Sequence, residues 1–184
     1  MNEKRITCWH FLADDKRLRW GTKEVVKVGK TYTATGPLAM CKNGMHSSRR
    51  LIDALGYAPG SILCKVQIWG EVEEQDDKLM GRDRKVLAMV DATMMLHEAA
   101  CYFAETALKL VDCKDKRSWN AIKVKRLWIK GKATNKELAA AGAAAGDAAG
   151  DAAGDAQNKY LTIQANKLFA KQKTKNKAAE EAQG

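Results

Sequence analysis

The sequence has none of the short motifs that name common enzyme classes: no Cys-x-x-Cys pair, no Gly-x-x-x-x-Gly-Lys phosphate loop, no nucleophile elbow and no Ser-His-Asp arrangement. Nothing local therefore points to a zinc ribbon, a P-loop hydrolase or a serine hydrolase. Histidine is scarce, with 3 in 184 residues, and the acid/base candidates reduce to His10, His46 and the loop carboxylates Glu71, Glu73, Glu74, Asp76 and Asp77. Long apolar runs are missing too. Aspartates and lysines interrupt every alanine-rich stretch, so none approaches the roughly 18 apolar residues of a membrane span. No secretory leader pattern opens the chain. The 5 cysteines are odd in number and widely spaced, which suits free thiols in a reducing compartment better than a disulfide framework. These absences predict a cytoplasmic protein with no membrane partner.

What is present divides the chain in two. Residues 1–112 hold most of the aromatic and β-branched residues and both prolines, whereas alanine, glycine, lysine and aspartate dominate beyond Lys132. The expected organisation is an α+β head over 1–112, a basic helical connector over 113–133 and an Ala/Gly/Asp-rich, then Lys-rich, helical tail over 134–184. The net charge of +10 is uneven, because residues 1–110 carry 17 basic and 14 acidic side chains and residues 111–184 carry 15 and 8. The tail therefore holds +7. Such polarity draws a protein to nucleic acid, nucleoprotein or another acidic surface, although a merely solvated lysine-rich face would look the same.

In the head, alternation predicts strands over 6–12, 24–28, 31–35, 38–41, 61–69 and 85–90, the early ones forming a meander. Ser47 or Ser48 is placed to cap a short helix ending at Leu55, with Leu51, Ile52 and Leu55 facing the sheet. Tyr57-Ala58-Pro59-Gly60 stops it. An acidic loop over 71–78 and a basic return over 81–85 separate the last two strands. The head is thus a small, mostly antiparallel sheet with a short helix and a packed amphipathic helix. That second helix, over 92–111 with Asp91 as cap, should lie on the sheet through Met95, Leu96, Ala99, Phe103, Ala107 and Leu110.

A helix over 119–130 should follow, stopped by Gly131. Thr134 and Glu137, three apart, form a capping box that opens a long tail helix. In the tail, Gly142, Gly146, Gly150 and Gly154 recur every fourth residue. On a helix they form a slowly turning stripe that admits a second helix, at about 1 kcal/mol of propensity lost per glycine. A homo-oligomer through this stripe is one reading and a semi-flexible linker is the other.

Residues 114–136 contain nine Lys/Arg and one Asp among Trp119 and Trp128. Lys114, Lys116, Arg117, Lys123, Lys125, Arg126, Lys130 and Lys132 are the candidate nucleic-acid contacts. Plain anchoring of the helix by its tryptophans competes with that reading. Cys8-x-His10, Cys41-x4-His46 and His97-x3-Cys101 supply soft ligands at no recognised zinc spacing, so no metal and no cofactor is expected.

The head residues Trp9-His10-Phe11, Cys41-x2-Gly44-Met45-His46-Ser47-Ser48, Leu51-x-Asp53-Ala54-Leu55-x-Tyr57-Ala58-Pro59-Gly60, Cys64-x-Val66, Gly70-Glu71-Val72, Asp77-Lys78 and Val86-Leu87 through Asp91-Ala92 resemble, in that order, a family of uncharacterised phage and prophage proteins that carry Ala-rich helical tails. The resemblance covers about residues 8–112. It implies a phage-encoded protein in a bacterial host cell and implies no activity. From it, with the basic tail, follows the leading expectation of a non-enzymatic binding protein. Such a protein would inhibit an antiviral defence by contacting nucleic acid or a host nucleoprotein complex.

A fainter resemblance is to ADP-ribosyltransferases, in which a Trp-His or Tyr-His on the first strand and a Gly-x-Tyr-x-(Ala/Ser) strand before a short helix grip a nicotinamide cofactor. Trp9, His10, His46, Ser47 and Tyr57 are the matching cleft positions. The match departs where His46 replaces the stacking tyrosine, where no Gly-(Ser/Thr) follows His10, and where no catalytic glutamate is placed. The resemblance implies a nucleotide-binding or transferase-like head. For His10 and His46 the competing reading is a hydrogen-bonded structural histidine beside a turn.

Overall fold

A computed structural model describes residues 4–19, 23–110, 112–145 and 154–181. The protein is α+β. Seven strands, β1 (Ile6–Leu12), β2 (Thr31–Thr33), β3 (Met45–Ser47), β4 (Ile62–Trp69), β5 (Glu73–Glu74), β6 (Leu79–Gly81) and β7 (Asp83–Asp91), alternate with and precede five helices. The helices are α1 (Leu51–Gly56), α2 (Thr93–Leu110), α3 (Lys116–Ile129), α4 (Asn135–Ala145) and α5 (Gly154–Glu181). Two compact units divide the chain: Met1–Ala92 with Thr162–Gly184, here called the head, and Thr93–Leu161, the helical unit. The dividing point follows Ala92 rather than residue 112, so α2 groups with α3 and α4.

The head is built on the four-stranded antiparallel sheet β1-β4-β7-β2, beside a three-stranded antiparallel sheet β3-β6-β5. The alternation on β4 places Ile62, Cys64, Val66 and Ile68 on one buried face, as the sequence predicts. Their partners Leu12 and Cys8 on β1, Val86 on β7, Tyr32 on β2 and Leu79 on β6 complete the main core. In register with that face lie His10 opposite Cys64 and Arg84 opposite Ile68. One histidine and one arginine therefore occupy sheet positions that the pattern reserves for apolar groups.

Four expectations fail. Residues 24–28 form no strand: Val26 enters the core alone, its N–H donating 2.7 Å to Lys16 O, while Val25 makes one isolated bridge to Arg17. Residues 38–41 form a turn, in which Ala39 O accepts from both Lys42 N–H and Asn43 N–H. The sheet order also replaces the meander, because β1 and β2 lie at opposite edges with β4 and β7 between them. Finally, neither serine caps α1. Ser47 ends β3, Ser48 bridges to Trp9, and the N-cap is Arg50, whose side chain makes no capping bond. The helix is seated by burial of Leu51 and Ala54 instead, and its end falls at Tyr57 as expected.

In the helical unit α3 packs on both α2 and α4. Asp115 caps α3 by accepting from Arg117 N–H at 3.0 Å, and Gly131 ends it at φ 68°. The predicted capping box is present, with Thr134 N–H donating to Glu137 Oε2 at 2.7 Å and Glu137 N–H donating to Thr134 Oγ1 at 3.2 Å. Tyr102 on α2 stacks on Tyr160 of α5, their ring centroids 4.1 Å apart and nearly parallel. Leu110, expected on the buried face of α2, is 62% exposed. Of the glycine stripe, Gly142 falls in α4 and Gly154 opens α5, while Gly146 and Gly150 lie outside the described residues. No described helix is long and apolar enough to cross a membrane.

Candidate functional site

The site begins with a backbone exchange. Trp9 N–H donates to Ser48 O at 2.8 Å and Ser48 N–H to Trp9 O at 2.9 Å, which draws the segment after β3 against the middle of β1. On its other side β3 pairs with β6, so His46 stands opposite Met80. Gly44 makes that approach possible: its φ is 149°, a conformation side chains rarely adopt, and a Cβ there would collide with Met80. Between β1, β3, α1 and the buried end of β7 this arrangement leaves a cavity of about 310 Å³. The volume sits at the low end of the ~300–1,000 Å³ typical of small-molecule sites.

All five cleft residues named from the sequence, Trp9, His10, His46, Ser47 and Tyr57, line this one cavity. They do not contribute equally. The Trp9 indole is 9% exposed, stacks on Phe169 at 6.2 Å and has the Lys65 ammonium 5.7 Å from its ring centre, so it is a wall and not an open stacking platform. Tyr57 is half-exposed at the rim. Its hydroxyl donates to Asp77 and accepts from Lys78 Nζ at 3.4 Å, and the Asp77 carboxylate holds the phenol pKa above its usual value. Lys78 is itself shifted up, first by the Cys41 thiol and then by Tyr57.

His46 proves to be a structural histidine. Cys41 N–H donates to its Nε2 at 2.9 Å, so Nδ1 carries the proton and donates to Gly44 O at 3.0 Å. Both nitrogens hold the turn that precedes β3, and burial lowers the ring's pKa. Burial depresses His10 much further, with Arg84 and His46 adding to it. Both rings are neutral at pH 7.

Arg84 is the residue the sequence reading missed. It is 5% exposed, yet no carboxylate pairs with it among the described residues. One Nη donates to His46 O at 2.8 Å, and Nε is buried with no partner. Burial lowers its pKa to about 10, which still leaves it protonated at neutral pH. The buried Ser47 hydroxyl is the other orphan; its neighbour is the Cys8 thiol, but no hydrogen bond of ordinary geometry satisfies it. Both orphans line the same cavity. Among the described residues its lining includes three cationic residues, Arg19, Lys78 and Arg84, and no aspartate or glutamate. The sequence signal for Arg84 was its period-2 spacing from Val86, which puts a cation on the buried face of β7. Starting the expected strand only at Lys85 left Arg84 in the preceding basic return and hid it.

The basic connector is less uniform than its composition suggested. Lys114 pairs with Asp112, Arg117 with Asp115 and Arg126 with Glu105, while Lys125 lies 4.1 Å from the centre of the Trp128 ring. Lys116, Lys123, Lys130 and Lys132 remain exposed to solvent. The first three recur every seventh residue, hence on one stripe of α3 about 21 Å long. Both tryptophans act as anchors: Trp119 Nε1–H donates to Cys113 O at 2.9 Å, and Trp128 donates to Asn135 Oδ1 at 2.7 Å and packs edge-on to His97. Lys125 covers one face of Trp128, and both indole N–H groups are engaged within the fold.

No group of three or more His, Cys, Asp or Glu stands ready to hold a metal among the described residues. No curated protein and no solved structure matches the chain. Residues 8–98, which include every head element of the cavity, are similar to the domain of unknown function DUF7666.

Proposed function

We propose that the head is a binding module for a small ligand of nucleotide class, and that the protein works by capturing this ligand. The observation that carries the reading is the convergence of β1, β3, α1 and β7 on one cavity. It gathers all five cleft positions named by the ADP-ribosyltransferase resemblance and adds a cationic lining. Apolar walls from Phe11, Leu18, Met45 and Ala54, with a few polar groups, are the usual composition of such sites. Capture is favoured over turnover for two reasons. Both nitrogens of His46 are engaged by backbone, and among the described residues no glutamate lines the cavity to take the place of a transferase's catalytic carboxylate. Calorimetric titration with nucleoside monophosphates, cyclic nucleotides and nicotinamide dinucleotide tests this. The expected result is saturable binding of at least one mononucleotide, weakened by Gly44→Ala; absence of heat across the panel would remove the reading.

The exposed lysine stripe of α3 supports a second reading, in which a phage-encoded inhibitor of host defence contacts nucleic acid or a nucleoprotein. Lys116, Lys123, Lys130 and Lys132 carry it. Pull-down from bacterial lysate at low salt should retain nucleic acid or nucleoprotein on the wild type and lose it when all four are changed to glutamine. Equal retention by both would end this reading.

A further inference from the structure

We infer that Arg84 is the receptor for an oxyanion in the head cavity, and that the group it receives is the phosphate monoester of the bound ligand. This rests on the cavity being a ligand site and names the part of the ligand that the site is built to recognise. A guanidinium buried to this degree with no carboxylate partner among the described residues is costly, because the desolvation of its charge is not offset by an opposite charge. One bond to the His46 carbonyl leaves most of its donors unspent, Nε among them. Natural chains hold such strained or unsatisfied groups chiefly where function uses them. The second orphan, the Ser47 hydroxyl, lines the same cavity and offers a further donor.

Two features select phosphate over a carboxylate. Arg84 and Lys78 both line the cavity with Arg19, none of its described lining residues is acidic, and Asp77, outside that lining, is tied to the Tyr57 hydroxyl at the rim, so the local charge suits a dianion better than a monoanion. The planar fork of arginine and a nearby hydroxyl can also donate to several oxygens of one phosphoryl group at once. The neutral states of His10 and His46 keep those rings from competing as cations or repelling Arg84. Among the described residues they serve as a neutral collar beside the buried charge.

The test compares a nucleoside, its 5′-monophosphate and inorganic phosphate by calorimetry on the full chain, for wild type, Arg84→Met, Arg84→Lys and Ser47→Ala. In the wild type the monophosphate should bind on the order of ten- to a hundredfold tighter than the nucleoside, the usual worth of a charge-assisted hydrogen bond. Arg84→Met should abolish that preference, and Arg84→Lys and Ser47→Ala should reduce it in part. Since a buried unpaired charge is being removed, ligand-free Arg84→Met should unfold at a temperature no lower than wild type. If Arg84→Met fails to fold, the lysine and Ser47→Ala variants decide the matter alone. Binding of nucleoside and monophosphate with equal affinity, or a phosphate preference that survives the Arg84 variants, overturns the inference while leaving the cavity as a ligand site. Arg84-dependent binding of inorganic phosphate without binding of either nucleoside form keeps the inference and removes the nucleotide reading. Silence from all three probes overturns both.

Discussion

At the scale of single residues, the head is defined by groups whose ordinary behaviour burial has changed. Cys64 is pushed up to about 12 and Cys8 and Cys101 are also raised, all chiefly by burial, whereas Cys41 is exposed at the cavity and Cys113 partly so. Alkylation should therefore label Cys41 and Cys113 quickly and the other three only on unfolding. Mass spectrometry after brief iodoacetamide treatment checks this, and bound ligand should slow Cys41 alone. The histidines carry a pH signature. Burial depresses His10, His46 and His97 in the native state, so below about pH 6.5 the unfolded chain takes up protons that the native chain refuses. Stability should fall as pH drops from 7.5 to 5.5, before the lowered carboxylates of Glu74 and Glu105 matter. Denaturation midpoints across that range measure it, and His10→Gln should flatten the slope. Gly44→Ala should cost about 1–3 kcal/mol for backbone strain, plus displacement of Met80, detected as a lower denaturation midpoint.

At the scale of elements, the capping box of α4 offers the cleanest check on local reasoning. Thr134→Ala should cost about 1 kcal/mol and be seen as reduced helicity on mild heating. That box was legible because its two residues are three apart and satisfy each other without help from the rest of the fold. The same holds for β1, β4, β7, α2 and α3, whose length and period carry their own signal. What stayed hidden depended on distant partners. β3, β5 and β6 are two or three residues long and exist only because each finds another strand. Segment 38–41 is apolar enough to read as a strand, yet Asn43 Nδ2 ties it into a turn by donating to Thr35 O and Pro37 O, both at 2.8 Å. The serines after Gly44 are polar and precede a helix, but backbone pairing with Trp9 claims Ser48 before capping can. The cavity's histidines and tyrosine were visible as unusual residues. Arg84 was not, since its meaning comes from the face of the sheet it occupies.

At the scale of the whole molecule, charge is divided between two uses. The surplus of the C-terminal part resides largely in lysines open to solvent on α3 and α5, and among the described residues the head keeps a single buried cation, Arg84, with no carboxylate paired to it. These predict opposite salt responses. Polyanion binding through the α3 stripe should weaken steeply with salt, log K falling by about 0.9 per phosphate contact on duplex DNA. Ligand binding beside Arg84, if it occurs as proposed, should be screened far less, because a pair there is removed from solvent. Filter-binding and calorimetry at 50 and 200 mM salt separate the two.

The central claim is that the head cavity holds a phosphorylated ligand against Arg84. The most direct measurement is an amide and arginine side-chain NMR titration of the full chain with a nucleoside 5′-monophosphate. Saturating shifts are expected at the Arg84 Nε–H and at the amides of His10, Gly44, His46 and Ser47, with α3 unmoved. Shifts confined to α3, or an Arg84 Nε–H signal unchanged at saturation, would contradict that claim.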